Sequence, residues 1–130
     1  MKKLLLLTVL LFAPNAFADG WVLVSEGETG SKVFVDQSSI QKSDKHTAAL
    51  IKQSFGSEQI ASDNKTKYNE MQVKYLFNCK DQKVAVIEGK KLNAAGDVVQ
   101  SDKYEDVTWV KAEPDTVMHH AMGYTCEYVN

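Results

Sequence analysis

YNEMQVKYLFNC, residues 68–79, alternates apolar and polar side chains and decides the fold. The apolar side of this stretch holds Met71, Val73, Tyr75, Phe77 and Cys79. A period of two is typical of a strand that buries one face, so residues 68–79 are predicted to form a half-buried β-strand. Because Cys79 falls on the apolar side, its thiol is predicted to face the core.

Shorter stretches of similar composition lie on both sides of this strand. They are WVLVS (21–25), KVFVD (32–36), TAALIKQSF (47–55), KVAVIEG (83–89) and DVVQSDKY (97–104). The segments between them are rich in glycine, asparagine, aspartate and serine, and they fall at 27–30, 56–67, 81–82 and 93–96. Since short connections favour antiparallel neighbours, the pattern predicts an antiparallel sheet of about six strands.

The C-terminal segment EPDTVMHHAMGYTCEYVN, residues 113–130, has a long helical pattern. Pro114 suits the first turn of a helix, and Asp115 favours the positive end of the helix dipole. One broad arc of this helix is apolar and contains Val117, Met118, Ala121, Met122, Tyr124, Thr125 and Tyr128. We expect this arc to lie on the sheet, which gives an α+β fold with one C-terminal helix packed on it.

The N-terminal segment MKKLLLLTVLLFAPNAFA has two lysines, an apolar run and small residues near its end. This pattern is typical of a secretory signal peptide over residues 1–18, cleaved between Ala18 and Asp19. The apolar run is shorter than the roughly 20 residues that cross a bilayer. No cysteine stands at the predicted cleavage point. We therefore expect one soluble domain, residues 19–130, that is periplasmic or secreted and not lipid-anchored.

The chain has two cysteines, Cys79 and Cys126. An even number in an exported protein usually forms a bridge. Cys126 falls at the edge of the helix's apolar arc, so we predict a disulfide from the strand to the helix. A reactive or metal-binding thiol pair is the alternative, but the sequence lacks the C-x-x-C spacing of such sites.

The charge balance argues against nucleic acid as a partner. The whole chain has 15 basic and 17 acidic residues. Removal of Lys2 and Lys3 with the signal peptide leaves 15 minus 2, or 13, basic residues against 17 acidic ones, a net charge of −4. The sequence also contains no arginine, the residue best suited to paired contacts with phosphate and guanine.

The sequence contains no nucleophile elbow, phosphate-binding loop or metal-ligand spacing. Ser38 and Ser39 fit a turn or a helix cap after Asp36 better than a nucleophile. His119 and His120 are helical neighbours that point about 100° apart, so we expect them to face solvent, with a metal-ligand role as the alternative. We predict no catalytic residue, no metal and no cofactor.

Lysines are concentrated in the middle of the sequence, at positions 65, 67, 74, 80, 83, 90 and 91. From this group we predict a candidate binding surface for an acidic partner, made of Lys74, Lys83, Lys90 and Lys91. A solvated sheet face is the alternative interpretation. Trp21 and Trp109 are predicted to fill the core or its edge, with exposure as a binding anchor as the alternative.

Three segments, in this order, resemble the surface-adhesin protein E family: VFVDQSSIQK (33–42), VKYLFNC (73–79) and WVKAEPDTVMHHAMGYTC (109–126). The resemblance implies an antiparallel sheet packed on a C-terminal helix, with a strand-to-helix disulfide, in exported proteins of Gram-negative bacteria. The family takes its name from an adhesin that binds host proteins such as vitronectin, laminin and plasminogen.

This resemblance implies an exported, non-enzymatic binding module that contacts a macromolecule through sheet surface and loops. The partner would be a host extracellular-matrix protein or an envelope protein. A periplasmic domain with a structural or housekeeping role is the alternative, because a shared fold does not by itself fix a function.

Overall fold

The computed structural model describes residues 20–129, so the predicted signal peptide and the cleavage point between Ala18 and Asp19 lie outside the described residues. The sheet is a meander in which successive long strands are antiparallel neighbours. These strands are β1 (Trp21–Glu26), β2 (Lys32–Lys42), β3 (Thr47–Ile60), β4 (Lys67–Asn78), β5 (Lys83–Leu92) and β6 (Val98–Lys103). A short strand, β7 (Val110–Lys111), pairs with β5, and helix α1 (Val117–Tyr128) completes the fold.

The predicted α+β architecture is confirmed. The sheet is antiparallel, its main path has six strands, and one C-terminal helix packs on it. β4 follows the alternation of the sequence, because Phe77 is fully buried while Val73 and Tyr75 on the same side are half-buried.

The core lies between α1 and one face of β1, β2 and β3. The sheet contributes the buried side chains of Val33, Val35, Ala49, Ile51 and Phe77, and the helix contributes Ala121, Met122 and Thr125. The predicted apolar arc of the helix is wrong for Tyr128, which is 50% exposed and stacks on Tyr124 at 6.3 Å between ring centroids. Tyr128 is in the last turn of the helix, which extends beyond the buried core.

β3 is longer than predicted, since the sequence indicates a break from residue 56 onward. The strand continues through Gly56 to Ile60, with an irregular register against β4 between Ser54 and Gln59. A Cβ at Gly56 would overlap the carbonyl oxygen of Thr29, which lies in the β1–β2 turn. The glycine therefore marks a close approach between two chain segments rather than a turn.

β2 is also longer than predicted, and Ser38 and Ser39 belong to an irregularity within it rather than to a turn that ends it or to a helix cap. Its register against β3 shifts between Asp36 and Gln41. The Asp36 carboxylate accepts hydrogen bonds from the backbone N–H and the hydroxyl of Ser38, at 3.0 and 2.6 Å. The Ser39 hydroxyl donates to the Asp36 carbonyl and accepts from the Leu50 N–H, so it bridges the two strands.

Helix α1 begins later than the sequence predicts. Thr116 is the N-cap, and its hydroxyl oxygen accepts from the His119 N–H at 3.2 Å. The same hydroxyl donates to the Glu113 carbonyl at 2.7 Å. Pro114 and Asp115 lie in the turn before the cap, and Asp115 has a φ of 66°, so neither belongs to the first helical turn. The predictions for these two residues are wrong because the helix begins after Thr116, whose side chain accepts from one free helix N–H, that of His119.

The predicted disulfide is confirmed. Cys79 directly follows β4, and Cys126 lies near the end of α1, with 5.9 Å between their Cα atoms. The bond closes a loop across 47 positions of sequence. In the chain-entropy account, such a crosslink stabilises the fold chiefly by restricting the unfolded chain.

Replacement of both Cys79 and Cys126 by serine should lower the free energy of unfolding by about 2–5 kcal/mol, because the unfolded chain regains the freedom that the bond removes. Urea denaturation followed by circular dichroism measures this loss. Reduction of the wild-type protein should reproduce it and should leave the double variant unchanged. Equal stability of the oxidised wild type and the variant would show that the bond does not hold the helix in place.

The β3–β4 turn, residues 61–66, is built around Asp63. Its carboxylate accepts hydrogen bonds from the Thr66 hydroxyl, from the Thr66 N–H at 2.8 Å and from the Lys65 N–H at 2.9 Å. The side-chain hydrogen bond from Thr66 first, and then the two backbone bonds, lower the pKa of Asp63 from an ordinary 3.8 to about 2. The charged form is therefore favoured in the folded turn.

The contribution of Asp63 to stability should depend on pH. Because folding lowers its pKa, the stabilisation is complete above 3.8 and disappears as the pH falls through about 2. The Asp63→Asn variant should be less stable than the wild type at pH 5, and the difference should shrink towards pH 2. Urea denaturation across this range measures the difference, with Asp97→Asn as a control at another exposed carboxylate. A constant difference would contradict the assignment.

Candidate binding surface

Helix α1 covers one face of the sheet, and within residues 20–129 no helix or strand packs on the other face. We call this other face the open face. Directly paired residues on antiparallel strands project to the same side, so the register identifies its members. One row across it is Phe34, Lys52, Gln72 and Lys90, and the next is Asp36, Leu50, Lys74 and Glu88.

An aromatic and ammonium cluster occupies the β1 side of the open face. The Lys52 Nζ lies 4.4 Å from the centroid of the Trp21 ring and 4.8 Å from that of Phe34. At these distances the ring faces attract the positive charge. Trp21 is half-buried here, at an edge of the sheet rather than in the core, and the neighbouring Leu23 is 48% exposed.

The centre of the open face holds a shallow depression of about 200 Å³, lined by Leu50, Gln72, Lys74, Glu88 and Lys90. Lys74 is paired in register with both Leu50 and Glu88. The depression therefore combines two lysines, Lys74 and Lys90, with the apolar side chain of Leu50 and the carboxylate of Glu88. Such a mixture can recognise an acidic protein surface that also carries apolar side chains.

The four lysines predicted as one binding surface are divided by the structure. Lys74 and Lys90 line the same depression. Lys83 lies at the opposite end of β5, paired with Asn78 and Lys111. Lys91 is paired with Met71, which places it on the helix side, and its Nζ lies 5.4 Å from the Tyr68 ring centroid. Neighbouring residues in a strand point to opposite faces, so Lys90 and Lys91 project to different sides of the sheet.

Lys52 is part of the open face, although the lysine concentration in the sequence does not include it. Its partner residues Phe34 and Gln72 are distant in sequence and meet it only through the strand register. The sequence feature that could have identified Lys52 is the alternation within TAALIKQSF, which places Lys52 on the face opposite to that of the buried Ile51. Counting lysines along the chain misses this signal because adjacent charges lie on different faces.

The remaining candidate residues lie away from the open face's centre. His119 is half-buried and His120 is exposed, on the early part of α1. Within residues 20–129 no group of three or more histidine, cysteine, aspartate or glutamate side chains could hold a metal ion. Trp109 is 36% exposed, and its ring centroid lies 6.2 Å from that of His46. Of the two predictions made for this residue, the structure agrees with exposure rather than with a place in the core.

The helix side of the sheet also has a groove beyond the end of α1's contact area. It has a volume of about 200 Å³ and is lined in part by Met71, Val73, Tyr75 and Tyr104. Burial raises the pKa of the Tyr75 hydroxyl above its ordinary value of 10.0, so this group stays a neutral hydrogen-bond donor.

A meander sheet with one face covered by a helix, one open face and a strand-to-helix disulfide defines a small α+β domain. The family model described as surface-adhesin protein E matches residues 21–127, and the chain belongs to this family. The family resemblance seen in the sequence is thereby confirmed.

Solved structures of Haemophilus influenzae protein E share this fold. Crystal form II superposes with a TM-score of 0.62 at 12% sequence identity, over 95% of this chain and 100% of the other. Another structure of the same protein gives a TM-score of 0.59 at 11% identity, over 90% and 91% of the two chains. At this identity the likeness concerns the fold. No curated protein matches the sequence significantly.

The family description is that of a surface adhesin. In the part of the chain that the structure describes, no helix has both the length and the apolar character needed to cross a membrane.

Proposed function

We propose that this protein is an exported, non-enzymatic binding module that contacts an acidic region of a host or envelope protein through its open face. The observation that carries the proposal is the combination of Lys74 and Lys90 with the apolar Leu50 in one depression of an uncovered sheet face. Membership of the surface-adhesin protein E family supports binding as the activity.

The composition of the open face suits a protein partner. Phe34 and Trp21 offer rigid aromatic surface, and Lys52 sets a positive charge over both rings. Aromatic residues supply much of the binding energy at protein interfaces, while charges at the rim steer association and select the partner. A lysine-rich face on an acidic chain favours partners with a local negative charge.

Export is the second part of the proposal. It is supported by the signal-peptide pattern of residues 1–18 and by the disulfide, because structural disulfides persist in oxidising compartments. A periplasmic or surface location after cleavage would bring the open face into contact with envelope or host proteins. A housekeeping role in the periplasm is the competing function.

The exported protein should begin at Asp19, because Ala16 and Ala18 meet the small-residue requirement of the signal peptidase. Intact mass and N-terminal sequencing of protein recovered from the periplasm and the medium check this start. The Ala18→Leu variant, with a bulky residue before the cut, should accumulate uncleaved, whereas the matched Phe17→Leu variant should be processed. Recovery of the wild-type chain from Met1 would contradict export by cleavage.

The Lys74→Gln/Lys90→Gln variant should bind its partner at least tenfold more weakly and with a smaller dependence on salt, because screening acts on the charges that it removes. Surface plasmon resonance of residues 19–130 over laminin, vitronectin and an envelope-protein extract measures both effects. The matched control is Lys65→Gln/Lys91→Gln, which removes two lysines outside the open face.

The outcomes separate the two functions. Binding to a host protein that the open-face variant loses and the control keeps supports an adhesin. Binding to the envelope extract alone supports the periplasmic role. Equal losses in both variants, or no loss in either, would exclude the open face as the contact surface.

A further inference from the structure

Another pocket lies at one end of the sheet, away from the open face's depression. We call it the terminal pocket; its volume is about 460 Å³, within the range of ligand sites. Its walls are the β2–β3 turn, the end of β4 with the following turn, and Val129 after the helix. Three chain segments that are distant in sequence therefore meet around one opening.

Hydrogen bonds hold the walls in place before any ligand binds. In the β2–β3 turn, the backbone N–H and the hydroxyl of Ser43 both donate to the His46 carbonyl at 2.9 Å. In the β4–β5 turn, the Asp81 N–H donates to the Asn78 side-chain oxygen at 3.0 Å, and the Cys79–Cys126 bond lies directly beside it. A site with fixed walls loses little conformational freedom on binding.

The lining is mixed in charge with a positive excess. Lys42, Lys45 and Lys80 contribute three ammonium groups, and Asp44 and Asp81 contribute two carboxylates. The Asp81 carboxylate accepts a hydrogen bond from the Asn78 amide at 3.2 Å, so part of its capacity is used within the protein. Three lysines around one opening favour an anionic ligand, for which each lysine acts as a point charge.

The two carboxylates restrict the class of anion. A bare inorganic anion would be repelled by Asp44 and Asp81 and would offer them no donor. A molecule with hydroxyl groups next to its acidic group would donate to the carboxylates and place its negative charge on the lysines. The Ser43 hydroxyl and the Asn78 side chain, which also line the pocket, add further polar partners for hydroxyl groups.

An exposed aromatic ring stands next to this polar lining. His46 lines the pocket and lies 6.2 Å from Trp109, between ring centroids, with Trp109 36% exposed. The face of an indole ring is electron-rich, and it attracts the partly positive C–H groups of a sugar ring. The lysines therefore suit the acidic group of an acidic sugar, and the exposed tryptophan beside the pocket suits its ring.

We infer that the terminal pocket binds an acidic saccharide, with its carboxylate or sulfate on Lys42, Lys45 and Lys80 and its sugar ring beside Trp109. This site is separate from the open face and does not depend on the function proposed for that face. It gives the protein a carbohydrate ligand in addition to a protein partner.

Fluorescence of Trp109 tests the inference in the otherwise intact chain. The Trp21→Phe variant leaves Trp109 as its single tryptophan, because the chain has two. Glucuronic acid and N-acetylglucosamine 6-sulfate are titrated as carboxylated and sulfated probes, against neutral N-acetylglucosamine, glycine and inorganic sulfate at constant ionic strength. At least one acidic sugar should give a saturable change and bind at least tenfold more tightly than each comparator.

The Lys45→Gln/Lys80→Gln variant, made in the same background, should lose at least tenfold in affinity for that sugar. Lys74→Gln/Lys90→Gln, which removes two lysines from the open face, should keep the affinity. All four lysines are exposed, so circular dichroism should show intact folds in both variants. Calorimetric titration of Trp109→Ala should show weaker binding without relying on fluorescence.

Comparable affinity for inorganic sulfate would reduce the pocket to an unselective anion site and overturn the inference. Comparable affinity for glycine or the neutral sugar would overturn it as well. The absence of a saturable response, or equal losses in the two lysine variants, would have the same consequence. These results would leave the open-face proposal untouched, since that proposal is tested with proteins and other variants.

Discussion

The bond between Cys79 and Cys126 joins the end of β4 to the last part of α1, and this covalent junction fixes the point at which the helix meets the sheet. From there the helix lies across β1, β2 and β3, where Ala121, Met122 and Thr125 meet the buried valines of β2. The apolar area removed from water supplies the main stabilisation, and the bond limits how far the helix can separate from the sheet.

A single helix can cover one face of a sheet, so the same packing that forms the core leaves the other face to solvent. Antiparallel sheets tolerate this arrangement because their strands alternate between the two environments. The open face nevertheless carries Trp21, Phe34 and Leu50 among its lysines, and these side chains are half-buried by their neighbours. Lysine stems that cover apolar surface keep such a face soluble while leaving it able to bind.

Local sequence patterns are sufficient for most of the fold. Strict alternation in β4 predicts its buried face and the direction of Cys79, and the helical arc around Ala121 and Met122 predicts the side that meets the sheet. These features depend on residues a few positions apart. They can therefore be predicted without knowledge of which strands are neighbours.

Features that depend on distant segments could not be predicted in this way. Gly56 looks like a turn residue until the Thr29 carbonyl beside it is known. The open-face cluster requires the register that brings Lys52 to Trp21 and Phe34, and the terminal pocket requires two turns and the helix end to meet. The short strand β7 likewise exists only because β5 offers it a partner.

The meander order of the sheet has a consequence for the time course of folding. Each long strand pairs with the strand made just before it, so the hairpins need only short loops to close and can form in the order of synthesis. The helix returns across β1 to β3 only when the last part of the chain has emerged. A chain that folds as it is made therefore has an uncovered sheet until the residues of α1 are available. The bond to Cys126 can form only after α1 has reached the sheet, so it closes last, on a domain whose strands are already paired.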